Sequence, residues 1–113
     1  MTTSRRIPKA AWRTYFDSLS GALVGKRAEI EAASLDIGDQ IVAEWLPLIG
    51  ITYDSRDDLL DVAVAGLNHL IREPQQVLIE EGDAGVEIIA VIAADGSQQV
   101  VRLKEPLMLP AAV

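Results

Sequence analysis

The chain carries a single histidine, His69, in a stretch that also holds Asn68, Arg72 and Glu73. Those four residues are the candidate ligand-binding group, because an imidazole can change charge near neutral pH and polarise a bound molecule. A Ser-His-Asp triad would have to use His69. Ser55 and Ser97, however, lie in turn sequences with no Gly-x-Ser-x-Gly elbow to present a nucleophile. The chain has no cysteine, which removes disulfides, thiolate metal sites and cysteine nucleophiles. His69 therefore has no His or Cys companion with which to hold zinc. The simpler role for it is a histidine near a strand end, hydrogen-bonded to backbone or carboxylate.

The densest acidic cluster is Asp54, Asp57, Asp58 and Asp61. It lacks the Asp-x-Asp-x-Asp-Gly spacing and distal Glu of a calcium loop. Asp and Ser at a strand-to-strand turn are expected on turn chemistry alone. Glu29 with Glu31, and Glu80 with Glu81, read as solvated surface and not as acid–base pairs with unlike environments. Gly82-Asp83-Ala84-Gly85 is a hairpin loop, since it has neither the glycine spacing nor the following helix of a nucleotide fingerprint. No catalytic residue, metal ligand or cofactor is expected.

The elements that must position these residues are mostly strands. Trp12, Phe16, Leu19 and Leu23 recur at i, i+4, i+7 and i+11, which predicts a helix over about 9–20 with Pro8 in its first turn and Gly25 as its stop. Beyond Gly25 the period becomes two. Strands are expected at Ala28–Ala32, at Ile41–Trp45 ending or bending at Pro47, at Ile49–Tyr53 and at Leu60–Val64. His69, Ile71 and Glu73 would share one face of a further segment, with Leu70 and Arg72 on the other. Residues 77–104 read as a three-stranded meander, and Asp95-Gly96 between β-branched runs suggests a type I′ hairpin. The fold class that follows is mainly β (α+β): one N-terminal helix packed on a small antiparallel barrel or strongly bent sheet of six to eight strands, SH3-like or Sm-like. The chain is expected to form one domain over 1–113, with the barrel over 26–104 and an extended tail over 105–113.

At 113 residues the chain suits one compact unit with a radius of gyration of roughly 13 Å. Half the residues are hydrophobic, the mean hydropathy is +0.22, and aromatics make up only 4%. The core must therefore come from Ala, Val, Leu and Ile, with apolar surface left for a partner. Val86–Ala93 is apolar apart from Glu87, so one of its faces needs cover. This points to an interface near Ile89 and Val91, and to the Leu107, Met108 and Leu109 tail.

Charge is uneven. Residues 1–27 carry six basic side chains against Asp17, whereas the remainder carries four basic and sixteen acidic ones. A basic start on an acidic body fits neutralisation within the fold better than nucleic-acid binding, because the body repels phosphate. Tyr15, Trp45, Tyr53, Arg56 and Arg72 are too scattered for an RNA surface. No apolar run approaches the roughly 18 residues of a membrane span, and Ile7-Pro8-Lys9 follows Arg5-Arg6 where a secretory signal would have an apolar stretch. A cytoplasmic location is the expectation.

A resemblance joins these readings. Ile7-Pro8 with Trp12 and Phe16, Asp36-Ile37-Gly38, Leu46-Pro47-Leu48 with Ile51, His69-Leu70-Ile71 with Pro74 and Val77, and Asp95-Gly96 before Val101-Arg102-Leu103 span nearly the whole chain. In these the chain resembles an uncharacterised family of small bacterial domains of unknown function. The resemblance implies no established activity, cofactor or catalytic residue. The chain departs from the pattern at Lys26-Arg27, where an aromatic is expected, and at Arg72, where His or Thr is expected. The leading expectation is a non-enzymatic barrel that associates with itself or with another cytoplasmic protein. The alternatives are a small-molecule-binding or enzymatic site around His69 and an Sm-like nucleic-acid binder. A deep pocket beside His69 would favour the ligand site, and a flat packed surface there would favour association.

Overall fold

Two periodicities in the sequence become one helix and a run of strands, seen in a computed structural model that describes residues 2–34, 36 and 38–107. The order is β1 (Thr3–Ile7), a 3-10 turn (Lys9–Ala11), α1 (Trp12–Leu23), β2 (Arg27–Ser34), β3 (Gly38–Asp54), β4 (Leu59–Val64), β5 (Leu67–Arg72), β6 (Pro74–Gly82), β7 (Gly85–Ala93) and β8 (Gln98–Leu107). The strands form an eight-stranded sheet in the order β1-β6-β7-β8-β2-β3-β4-β5, and every pairing is antiparallel. The sheet is strongly bent but not closed: β1 and β5 are its edges. The radius of gyration is 13.2 Å.

The bend is made in β3, which is 17 residues long. The two strands expected on either side of Pro47 are thus one. Up to Pro47 it pairs with β2, and from Leu48 it pairs with β4. Trp45 supplies the kink with a left-handed φ of 52°, a conformation costly for a bulky residue. Pro47 has no N–H to place, and its carbonyl accepts Ala65 N–H at 2.9 Å. Leu48 completes the corner by accepting from Gly25 N–H (2.9 Å) and donating to Lys26 C=O (2.7 Å).

The helix buries the face its spacing predicted: Trp12, Phe16, Leu19 and Leu23 are all in the core. It starts three residues later and ends later than expected, stopping before Gly25, whose φ of 84° few other residues tolerate. Ser20 has a structural task. Its hydroxyl donates to Ile51 C=O (2.7 Å) and accepts Ile51 N–H (3.0 Å). One side chain thereby stands in for the strand neighbour that β2 no longer provides beyond Pro47, and two backbone groups escape the cost of burial without a partner. Trp12 is pinned by its ring N–H to Ile7 C=O (2.8 Å) and meets the Tyr53 ring edge-on at 5.1 Å.

Thr3–Ile7, read from sequence as part of a basic start, is an edge strand on β6. Its outward Thr, Ser and Arg residues hide the period-two signal, since only Ile7 is buried. Arg5 pairs with Glu81 at 2.9 Å and Lys9 with Asp58 at 3.3 Å, so basic N-terminal residues do neutralise acidic residues of the sheet.

The meander over 77–104 is present as β6, β7 and β8, with two changes. First, the Asp95-Gly96 hairpin is not type I′. Gly96 alone is left-handed (φ 85°), Gly96 N–H bonds Ala93 C=O at 3.0 Å, and Ala93 N–H bonds Ser97 C=O at 2.9 Å. This is the three-residue loop in which a turn is followed by a left-handed glycine. Second, β8 continues to Leu107, so residues 105–107 are strand and not tail. Met108 and Leu109 lie outside the described residues.

Ile89 and Val91 are not surface residues. They are 1% and 0% exposed and sit in the core with Val77, Ile79 and Val101. The run is apolar on both faces, so its sequence does not say which face is inside. A bulge in β7, where Val86 and Ile88 oppose the adjacent Glu81 and Glu80 of β6, sets the alternation, and the outward set is Ile88, Ala90 and Ile92. Among the described residues, no helix is long and apolar enough to cross a membrane.

Candidate functional site

His69 lies on edge strand β5, whose alternation turns Leu67, His69 and Ile71 toward the concave side of the sheet and Asn68 and Leu70 away from it. Facing it are the inward residues at one end of β2, β3, β7 and β8. There the core side chains become small. Ala32 and Ala93 stand where the neighbouring inward positions hold Ile30 and Val91, and Ala33, next to Ala32, also borders the opening. Small residues on both sides of the bend leave a cleft of about 490 Å³. That volume is within the roughly 300–1,000 Å³ range of small-molecule sites, which favour the mouths of barrel-like sheets.

A hydrogen-bonded chain runs along the cleft wall. His69 Nε2 lies 2.6 Å from Gln99 Oε1, Gln99 Nε2 donates to Ser97 Oγ at 3.2 Å, and Ser97 Oγ donates to Asp95 Oδ1 at 2.6 Å. The chain has one direction. Asp95 can only accept, so the Ser97 proton points to it, and the Ser97 lone pair then takes the Gln99 amide N–H. The Gln99 carbonyl must therefore face His69, and Nε2 of His69 must carry a proton. In the neutral ring that leaves Nδ1 as a lone-pair acceptor. Asp95 also accepts Ser97 N–H at 2.9 Å. These two bonds from Ser97, side chain first, hold the Asp95 carboxyl below its usual range.

Gln99 is the one polar residue buried in the core of the described chain, at 7% exposure. A buried amide costs free energy unless its groups are partnered. Here both ends are, one across the bend to β5 and one along β8. Gln99 thus ties the two halves of the sheet together while shaping the cleft.

The four sequence candidates are divided by the strand. His69 and Arg72 line the cleft, together with Gln40, Asp36 and Asp95. Asn68 is on the outer side, donating to both oxygens of Asp61 at 3.1 and 3.2 Å. Glu73 forms the turn between β5 and β6, with a left-handed φ of 51°. Its N–H bonds Asp58 C=O and its C=O accepts Ala94 N–H, both at 2.9 Å, so its backbone staples the β3–β4 turn to the β7–β8 turn. Sequence reasoning missed Gln99 and Ser97. Nothing in Ser97-Gln98-Gln99-Val100 marks one glutamine as buried. The cue would have been the parity of β8, on which Gln99 falls with Val101 and Leu103.

The acidic cluster is dispersed by its own hydrogen bonds. Asp54 accepts Arg56 N–H (2.9 Å) and Asp57 N–H (3.3 Å), closing the β3–β4 turn. Asp58 takes the Tyr53 hydroxyl at 2.6 Å beside Lys9, and Asp61 holds Asn68. Burial, and then the Asp58 hydrogen bond, push the Tyr53 hydroxyl up to about 12. Among the described residues no group of three or more His, Cys, Asp or Glu side chains is placed to hold a metal ion.

Residues 3–112 match the model of a family of unknown function, DUF5335. An uncharacterised protein of Aquifex aeolicus is 34% identical to this chain over 108 residues, covering 95% of this chain and 97% of the relative. No solved structure matches the chain. The resemblance to an uncharacterised family of small bacterial domains, drawn from the residues, agrees with both matches. The chain belongs to the DUF5335 family of unknown function.

Proposed function

We propose that this protein is a non-enzymatic binding module that takes a small polar, carboxylate-bearing molecule in the His69 cleft. The observation that carries this reading is the directed chain from His69 through Gln99 and Ser97 to Asp95 on the wall of an open cleft. It presets His69 as an acceptor at Nδ1. Arg72, on the outer parity of β5 and at the rim of the cleft, offers the planar fork that suits a carboxylate. Ala32, Ala33 and Ala93 provide the space.

Binding is favoured over catalysis by the same chain. The Ser97 proton is committed to Asp95, and a carboxylate held below its usual range is a weak base for activating a hydroxyl. Gln99 cannot pass a proton on as a base would. Association through Ile89 and Val91 is not available, since both lie in the core. The cysteine-free chain fits a reducing, cytoplasmic setting.

The test is an NMR titration of the full chain with a panel of small carboxylates that also carry a hydroxyl or amine donor for His69 Nδ1, following the His69 ring and the Gln99 side-chain amide. Saturable shifts confined to His69, Arg72 and Gln99, and abolished by Arg72→Ala, are expected. Shifts spread over the basic N-terminal residues, or none at the three cleft residues across the panel, would refute the reading.

A further inference from the structure

We propose that the outer face of β6, β7 and β8 is the contact surface of a homodimer whose two-fold axis runs along β7. In antiparallel pairs, directly opposed residues share a face. The register therefore defines rows across the outer surface. One row reads Arg6, Leu78, Ala90, Val100, Glu31, from β1 through β6, β7 and β8 to β2. The next reads Ser4, Glu80, Ile88, Arg102, Glu29. Around Ala90 the surface is apolar, formed by half-buried Leu78, Ile88, Ile92 and Val100, with Ile41 beyond Glu31 at 52% exposure. An apolar centre with a charged rim is the build of an association surface.

The charge pattern says which partner fits. Arg6 donates to the neutral Gln76 at 3.0 Å, so its side of the row keeps a positive charge. Across β7, the single Arg102 is shared between Glu31 (2.7 Å) and Glu29 (3.3 Å), so that side keeps a negative one. Strands are about 4.8 Å apart, which puts Arg6 and Glu31 at equal distances, roughly 10 Å, on either side of β7. A two-fold axis lying along β7 between two face-to-face copies exchanges left and right but keeps the rows. Arg6 of one copy then lies over Glu31 of the other, Glu80 over Arg102, and the Ala90 neighbourhood over itself. An axis lying across the strands would instead stack Arg6 on Arg6. The face is thus antisymmetric in charge about its central strand, the complementarity that an isologous interface requires. This surface is the convex side of the sheet, and the proposal is independent of the concave cleft.

Sedimentation velocity on the full chain tests it, with a dimer expected. Ala90→Arg, at the centre of the outward row and 8% exposed, should give a monomer that keeps its circular dichroism. Arg6→Glu and Glu31→Arg should each raise the dimer Kd about tenfold or more. Mixed one to one, these two variants should recover the dimer, because both cross-contacts of the mixed pair join opposite charges. Glu80→Arg, which disturbs no described ion pair, should weaken the dimer in the same way. A monomer at every attainable concentration, a dimer that survives Ala90→Arg or Glu80→Arg, or a mixture no tighter than its separate variants would each overturn the proposal.

Discussion

The concave side of this sheet has two regions built from the same alternation, and they end differently. Over the second half of β3 the helix fills the bend with Trp12, Phe16, Leu19 and Leu23, and Ser20 satisfies the exposed edge of Ile51. At the start of β3 the helix does not line the cleft, the inward side chains shrink to Ala32 and Ala93, and polar His69 and Gln99 take the remaining positions. Side-chain volume, not backbone pattern, separates them. Large apolar groups make one region part of the core, while small and amide-bearing groups make the other a cleft.

Substitutions should therefore cost stability in the first region and binding in the second. The largest effect is expected for Phe16→Ala, which removes a fully buried ring and should destabilise by about 3–5 kcal/mol in urea denaturation. Ser20→Ala leaves the Ile51 N–H and C=O without their partner and should cost about 1–2 kcal/mol by the same measurement. Tyr53 gives the filled region a pH signature. Its hydroxyl is raised from 10.0 to about 12 by burial first and by Asp58 second. In the unfolded chain it deprotonates first, so the folded state loses stability as pH rises from 10 toward 12 and keeps it in full below 10. Melting curves across that range should show the decline, and Tyr53→Phe should flatten it.

In the cleft, Gln99→Leu keeps the volume and removes both hydrogen bonds. Stability should change by about 1 kcal/mol or less, whereas ligand binding in the cleft should be lost. A loss of stability equal to that of Phe16→Ala would erase the distinction between the regions. The smallest effect belongs to Asp95→Asn. The exposed carboxylate is held low by Ser97, so it favours the folded state above its unfolded-state value and ceases to do so as pH falls. Its replacement should leave neutral-pH melting nearly unchanged while reducing ligand affinity measurably by calorimetry.

Legibility followed the strength of local signals. The helix face was readable because four large apolar residues repeat at helical spacing and nothing competes with them. The meander was readable from its two turns. β1 was not, because Thr3, Ser4, Arg5 and Arg6 face solvent at an edge and only Ile7 enters the core. Which face of β7 is buried was not readable, because the run is apolar on both faces and a bulge sets its alternation without leaving a mark. In the cleft, His69 stood out by being the lone histidine, and Arg72 borders the same cleft from the other face of β5. Gln99 and Ser97 were invisible, since their importance comes from a strand distant in sequence folding over them.

By itself the sequence determined the helix face and most of the strands, that the chain forms a mainly antiparallel β structure around an aliphatic core, and that a cysteine-free chain has no thiolate chemistry. Those follow from local periodicity and from which side chains exist. Only the tertiary structure decided which face of β7 is buried, where β3 turns, and that His69, Gln99, Ser97 and Asp95 form one directed chain. These depend on pairing register and on the volumes that meet across the bend. A single bulge or a few alanines change both without altering the local pattern.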